Sequence, residues 1–324
     1  MTFNPSNILV IDFGQLGDVT LSLPALEGIR RKFLNSRITV LTGEPTASLV
    51  EASGYSDVIL SVDRVALRDG QKIWAIARIF DLVKDIRRRH FDFVIDLHSL
   101  SETNLLAFLS GARKRLFADR PGRSLNFLSN FTPRPPAEDR TKHAVDRYLD
   151  VLEPLQIPDL DRVPRLKLKS AHQQKIDQIL TSAAITPKDV LVGMSPGAGH
   201  PGRRWPLKSF AEVAVRLEDD EGVRVVVFPG PEEQALMDDI TNIFSPSTLV
   251  ILGLNIPELA AAFARMALLI SNNSGPMHIA AAVGTPVISL LGRLTPDSFT
   301  PVGNQHRIVF APSVSEITFT QVYT

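Results

Sequence analysis

The chain has 324 residues, of which 44% are apolar and 22% are charged, so its composition is that of a globular protein and excludes wholesale disorder. This length predicts two domains of about 150 residues each. Lysine plus arginine and aspartate plus glutamate are equal at 35 each, which leaves no bulk positive field for nucleic acid. Cysteine is absent, which excludes disulfides and thiolate chemistry.

The first half alternates predicted strands with predicted helices. Short apolar runs at residues 8–11, 37–41 and 91–97 predict buried strands. Helical spacing of apolar residues at 24–33 and 73–89 predicts helices between them. This alternation favours a parallel sheet with helices on both faces.

The second half repeats this pattern after a stretch punctuated by prolines. We place the connection there and predict domains of residues 1–165 and 166–324. Further predicted strands cover residues 190–195, 223–228, 249–252, 268–270 and 286–291. The expected architecture is α/β, with two doubly wound, Rossmann-like, parallel-sheet domains whose strand ends face each other across a cleft.

Asp18 belongs to the first segment that can carry chemistry, residues 14–19, directly after the first strand. The carboxyl ends of parallel strands line the ligand crevice of such a sheet, so a carboxylate here is a candidate catalytic group. It is equally explained as the cap of the following helix. The spacing matches neither the dinucleotide fingerprint nor a Walker loop.

A second segment, residues 271–278, lies between a predicted strand and an alanine-rich helix. Its free N–H groups, the Ser274 hydroxyl and the small Gly275 suit an anion such as a phosphate, and Pro276 suits the first helical turn. A well-capped buried helix would have the same sequence. His278 alone is more typical of a core histidine, and nothing here has metal-ligand spacing.

Two further segments carry charge at predicted strand ends. The glycine-rich loop 195–206 contains Gly197 and ends in Arg203 and Arg204, which suit a diphosphate, although both arginines could be ordinary surface charges. The acids of residues 229–234, Glu232 and Glu233, could accept hydrogen bonds from ribose hydroxyls or cap a helix.

The first domain also has a basic segment, residues 113–134, with six basic residues and one acid. It is either a solvated loop or a site for an anionic partner such as a phosphate or an anionic membrane surface. The six basic residues are Arg113, Lys114, Arg115, Arg120, Arg123 and Arg134.

The order of these segments resembles glycosyltransferase family 9, the ADP-heptose:lipopolysaccharide heptosyltransferases. The resemblance runs from about residue 8 to 311. Its blocks in the first domain are Ile8-Leu9-Val10-Ile11, Gly17-Asp18-Val19 with Leu23-Pro24-Ala25-Leu26, Asp96-Leu97-His98, Leu109-Ser110-Gly111-Ala112-Arg113 and His143-Ala144-Val145-Asp146-Arg147-Tyr148. In the second domain they are Arg203-Arg204-Trp205-Pro206 (with arginine for the usual first lysine), Gly230-Pro231-Glu232-Glu233 and Asn272-Asn273-Ser274-Gly275-Pro276-Met277-His278.

This resemblance implies a GT-B fold and an inverting, metal-independent sugar transfer that uses no cofactor, with Asp18 as the general base. Within the donor site, Arg203 would bind the diphosphate and Glu233, with Glu232 as the second candidate, the ribose. The donor-binding residues it implies are Gly197, Arg203, Arg204, Glu233, Asn273, Ser274, Gly275, Pro276 and His278. For the acceptor we expect Arg113, Arg120 and Arg123.

Some residues depart from the family pattern. Asn273 stands where the family usually has aspartate, and Asp12 stands where a basic residue is frequent. Residues 315–318 resemble the start of the family's closing helix, which we expect to pack back on the first domain.

We therefore predict an enzyme that moves heptose from ADP-heptose to a lipopolysaccharide core or a related bacterial glycan. The expected partners are an ADP-sugar and an anionic glycolipid or glycan. The N-terminus lacks the basic start and apolar run of a signal peptide, so we expect a cytoplasmic protein, peripheral at the inner face of the membrane. The alternatives are a GT-B-type nucleotide-sugar epimerase and an inactive sugar-nucleotide-binding protein.

Overall fold

The computed structural model describes residues 3–63, 72–230, 240, 242–295 and 297–324. The chain divides into two compact units, Met1–Arg162 and Val163–Thr324. Each unit is built on its own sheet, and every strand pair in the described residues is parallel. The predicted α/β class is confirmed.

The first unit has a five-stranded sheet in the order β3-β2-β1-β4-β5. Its elements are β1 (Asn7–Asp12), α1 (Leu16–Lys32), β2 (Arg37–Gly43), α2 (Glu44–Ser53), β3 (Val58–Val62), α3 (Lys72–Arg88), β4 (Phe93–Asp96), α4 (Ser101–Leu109), β5 (Lys114–Phe117) and α5 (Ala144–Asp150). The chain order reverses between the neighbours β1 and β4, and ligands bind at such a switch point. Asp12 and Asp96 end these two strands.

The central strands are buried on both faces, which explains their unbroken apolar sequence. Ile8, Leu9, Val10 and Ile11 of β1 are all fully buried. Helix α1 begins at Leu16 and not, as predicted, at Pro24, which lies inside it. The helix starts earlier because Asp18 in its first turn caps the Gln15 N–H.

The second unit has a six-stranded sheet in the order β11-β10-β9-β6-β7-β8. Its elements are α6 (Ser170–Ser182), β6 (Leu191–Ser195), α7 (Leu207–Arg216), β7 (Arg224–Val227), β8 (Leu249–Val250), α8 (Ile256–Phe263), β9 (Leu268–Asn272), α9 (Gly275–Ala282), β10 (Val287–Leu291), β11 (Arg307–Phe310) and α10 (Phe319–Tyr323). The switch point lies between β6 and β9, so Ser195 and Asn272 end the two strands that flank it.

The closing helix α10 packs against α7, and its Val322 is part of the core of the second unit. Its expected packing on the first domain stays a prediction. Within the part of the chain that the structure describes, no helix is long and apolar enough to cross a bilayer.

Candidate functional site

Asp18 lies on the first turn of α1, shortly after the carboxyl end of β1. Its Oδ2 accepts a hydrogen bond from the Gln15 N–H at 3.1 Å. A Cβ at Gly14 would lie 2.5 Å from the Cβ of Asp18 and 3.1 Å from Oδ1 of Asp12, so only glycine permits this close turn. Asp18 therefore forms a capping box with the N-cap residue Gln15, and as a half-buried carboxylate after the end of β1 it also remains a candidate base.

Asp12 is a buried acid beside Asp18, and the sequence marked it only as a departure from the family pattern. Its Oδ1 accepts the Gly14 N–H at 3.0 Å and its Oδ2 accepts the Ser22 hydroxyl at 2.6 Å. Burial raises the pKa of Asp12 to about 6, although these two hydrogen bonds oppose the shift. The charge of Asp18 raises this pKa further and that of Arg120 lowers it, so the three charges interact at one edge of the sheet.

Asp96, at the end of β4, is a second buried acid at this edge. Its Oδ1 accepts the Ser99 N–H at 2.7 Å, and its Oδ2 accepts the Asn104 side-chain amide at 2.8 Å. The Asn104 oxygen in turn accepts the Leu125 N–H at 2.7 Å. Burial raises the pKa of Asp96 to about 6, and Arg120 again lowers it. This network ties the loop after β5 to the switch point.

Strand β5 places the basic residues of this segment at opposite ends of the strands of the first sheet. Arg120 and Arg123 follow the carboxyl end of β5, and both lie near the carboxylate of Glu138. Arg113 precedes β5, at the opposite edge, where its charge lowers the pKa of Asp92 together with stronger hydrogen bonds to that carboxylate. The three expected acceptor residues therefore do not form one site.

In the second unit, Asn272 joins the glycine-rich loop to the switch point. Its side-chain amide donates to the Pro196 carbonyl at 2.6 Å, and its oxygen accepts the Trp205 N–H at 3.0 Å. The loop of residues 196–205, which contains the buried Gly197, is thus held at both ends against the end of β9. The sequence placed Asn272 in a block but assigned it no role.

Arg203 and Arg204 have different surroundings. Nε of Arg204 donates to the Ala198 carbonyl at 2.8 Å, so this arginine braces the loop from within. Nε of Arg203 is buried and has no hydrogen-bond partner among the described residues. A buried donor without a partner is costly, so Arg203, unlike Arg204, keeps a donor that a ligand could satisfy.

Helix α9 begins at Gly275, with Ser274 as its N-cap and Pro276 in its first turn. Ser274 donates weakly to the Asn272 carbonyl at 3.3 Å. The Asn273 amide donates to the Phe299 carbonyl at 2.6 Å, a bond that an ionised aspartate could not make. His278 is buried in the same helix, as its core interpretation predicts. Glu232 and Glu233 lie outside the described residues.

The chain is similar to known proteins over most of its length. A family model described as glycosyltransferase family 9 (heptosyltransferase) matches residues 79–322. Lipopolysaccharide heptosyltransferase 3 of Escherichia coli is 26% identical over 281 residues, which covers 85% of this chain and 80% of that protein.

Two solved structures share the fold. A glycosyltransferase of family 9 from Veillonella parvula matches with a TM-score of 0.84 at 27% identity, over 96% of this chain and 88% of that one. E. coli heptosyltransferase WaaC with ADP-2-deoxy-2-fluoro heptose matches with a TM-score of 0.77 at 20% identity, over 98% and 97% of the two chains. The chain belongs to glycosyltransferase family 9, the heptosyltransferase family, and is a glycosyltransferase with the GT-B fold.

Proposed function

We propose that this glycosyltransferase moves heptose from ADP-heptose to a lipopolysaccharide core or a related bacterial glycan. The family supports this donor and acceptor, since the E. coli relative is named a lipopolysaccharide heptosyltransferase and the WaaC structure contains an ADP-heptose analogue. We assign the donor to the second unit and the acceptor to the first.

The observation that carries the donor site is the Asn272 clamp. It brings the glycine-rich loop, with Arg203, to the strand end from which α9 begins. In our proposal the guanidinium of Arg203 and the N–H groups at Ser274 and Gly275 bind the diphosphate. Glu233, with Glu232 as the second candidate, would accept hydrogen bonds from the ribose.

Five other residues complete the proposed donor site. Arg204 braces the loop, and Gly197 lets the diphosphate approach its backbone. In this proposal Asn273, fixed through the Phe299 carbonyl, would lie beside the sugar, and Pro276 and the buried His278 would belong to the helix start that binds the diphosphate.

For the reaction we propose that Asp18 removes the proton of the acceptor hydroxyl as the oxygen attacks the anomeric carbon. A single displacement of this kind inverts the configuration there. The leaving diphosphate gains negative charge, which Arg203 and the α9 N–H groups would stabilise without a metal ion.

We further propose that the acceptor is anionic and is met at a membrane surface, with the protein in the cytoplasm. Arg120 and Arg123 would attract its acidic groups. The first unit also exposes Leu105, Phe108 and Phe127, and the turn that contains Phe127 packs against α4. Exposed apolar side chains close to basic residues are typical of proteins that bind anionic lipid surfaces.

The test is a transfer assay with ADP-heptose and a series of lipopolysaccharide cores truncated at successive sugars. We expect release of ADP with one acceptor of the series, undiminished by EDTA, and a product whose anomeric configuration is inverted by NMR. The Asp18→Asn variant serves as the negative control. If ADP-heptose neither raises the melting temperature nor yields ADP, while another nucleotide sugar does both, the proposed donor is wrong.

A further inference from the structure

Glu138 of the first unit is surrounded by four guanidiniums. Its Oε1 lies 3.4 Å from Nη1 of Arg147 and 3.5 Å from Nε of Arg120. Its Oε2 lies 3.8 Å from Nε of Arg140 and 4.0 Å from Nη1 of Arg123. All four distances exceed the about 2.7–2.9 Å of a strong charge-assisted hydrogen bond. One carboxylate is thus shared loosely among four cations.

The cluster is closed on one side and open on the other. The side chains of Glu138, Arg120 and Arg147 are 6%, 13% and 16% exposed, whereas those of Arg123 and Arg140 are 43% and 64% exposed. A cavity of about 10 Å³ adjoins the inner three, which is room for about one water molecule. A carboxylate or phosphate group from outside can therefore reach the inner guanidiniums only if the Glu138 carboxylate moves away.

We propose that Glu138 is an internal counter-ion whose place an external oxyanion takes. A carboxylate or a phosphate offers the guanidiniums the same chemistry as Glu138, and the exposed Arg123 and Arg140 would meet it first. Displacing Glu138 breaks its contacts with the arginines, so the incoming ligand must replace them with charged contacts of its own. A neutral sugar therefore cannot displace Glu138, and a more highly charged group displaces it best. Glu138 thereby selects for charged ligands. Only the statement that this oxyanion belongs to the acceptor rests on the proposed function.

Removal of the competing charge tests the exchange. Glu138→Gln keeps the shape of the side chain and should bind inorganic phosphate about tenfold more tightly than the wild type, measured by calorimetry at constant ionic strength. A parallel titration with D-glucuronate tests a carboxylate source, and tighter binding of either ligand supports the exchange. Asp146→Asn is the matched control, because it makes the same change in net charge at a carboxylate that pairs with Arg162 at 2.6 and 2.8 Å. It should bind both ligands as the wild type does.

If the role of Glu138 is purely structural, removing its charge should not tighten the binding of phosphate or glucuronate. If folded Glu138→Gln binds both ligands no more tightly than the wild type, Glu138 only holds the arginines in place and the exchange is wrong. Glu138→Asp keeps the charge but withdraws it by one methylene, so it should show a smaller gain. Should the glutamine variant fail to fold, an aspartate variant without that gain overturns the exchange. Neither titration requires sugar transfer, so an inactive enzyme would count against the proposed function alone.

Discussion

At the scale of single residues, Asp18 caps α1 and, in our proposal, also serves as the base. Asp18→Asn keeps an oxygen that can accept the Gln15 N–H but cannot take a proton at neutral pH. We expect an unchanged melting temperature and donor affinity, with turnover lowered by roughly 10²–10⁴-fold. Single-turnover kinetics and calorimetry measure these quantities. Near wild-type turnover would remove Asp18 from the mechanism.

Arg203 and Arg204 are neighbours with separable roles. Arg203→Ala should weaken ADP and ADP-sugar binding by roughly tenfold to a hundredfold, because it removes a charge-assisted contact to the diphosphate. Adenosine binding should not change. Arg204→Ala removes the brace to Ala198 and should lower the melting temperature as well. Titration of each variant with adenosine and with ADP measures these affinities. Equal ADP affinity in Arg203→Ala and the wild type would contradict the proposed contact between Arg203 and the diphosphate.

Asp12 makes the free energy of unfolding depend on pH in the direction opposite to that of an ion-paired acid. Its folded pKa of about 6 lies above the ordinary 3.8, so the folded state holds this proton more tightly than the unfolded state does. The resulting stabilisation is complete below about pH 4 and is lost as the pH rises through about 6. Relative to Asp12→Asn, the wild-type free energy of unfolding should therefore fall by up to about 3 kcal/mol between about pH 4 and 7. Urea unfolding at both pH values measures this difference, and a constant difference would contradict it.

At the scale of elements, strand β5 separates Arg113, which precedes it, from Arg120 and Arg123, which follow it. We therefore expect these arginines to affect acceptor binding differently. Replacing Arg120 and Arg123 with glutamine should raise the acceptor KM and flatten its dependence on salt, because salt screens charges beyond about 8–10 Å. The donor KM should stay the same. Arg113→Gln, at the other edge of the sheet, should keep the wild-type acceptor KM. A double variant with wild-type KM and salt response would show that these arginines do not bind the acceptor.

The positions of most central strands could be predicted from apolar runs, because a strand covered on both faces has no polar alternation to obscure it. The start of α1 could not, since Pro24 suggested a first turn and the true one depends on the bond from Gln15 to Asp18. The Asn272 clamp joins residues far apart in the sequence, so no local pattern predicts it.

At the scale of the whole molecule, the order of short blocks indicated the family and the fold better than any one block did. What the sequence could not indicate is which charges share an environment. The buried acids Asp12 and Asp96 are far apart in the chain and both interact with Arg120, an arrangement that depends on β1 lying beside β4. Composition could not predict it either, because the equal totals of acidic and basic residues conceal such local groupings.

The proposed membrane association makes a prediction for the whole protein. Leu105 and Phe127 are 46% and 75% exposed on the first unit, and Leu34, which follows α1 and is far from them in the sequence, is 73% exposed. We expect the wild type to sediment with vesicles of phosphatidylglycerol and phosphatidylcholine, and less so at high salt. Replacing Leu105 and Phe127 with serine should lower the partition coefficient at least about a hundredfold, since each inserted side chain contributes about 1.5–3 kcal/mol. Leu34→Ser removes an exposed leucine elsewhere and should sediment as the wild type does. If the double variant binds unchanged, or if Leu34→Ser loses as much binding, the apolar side chains around Phe127 are not the surface that meets the lipid.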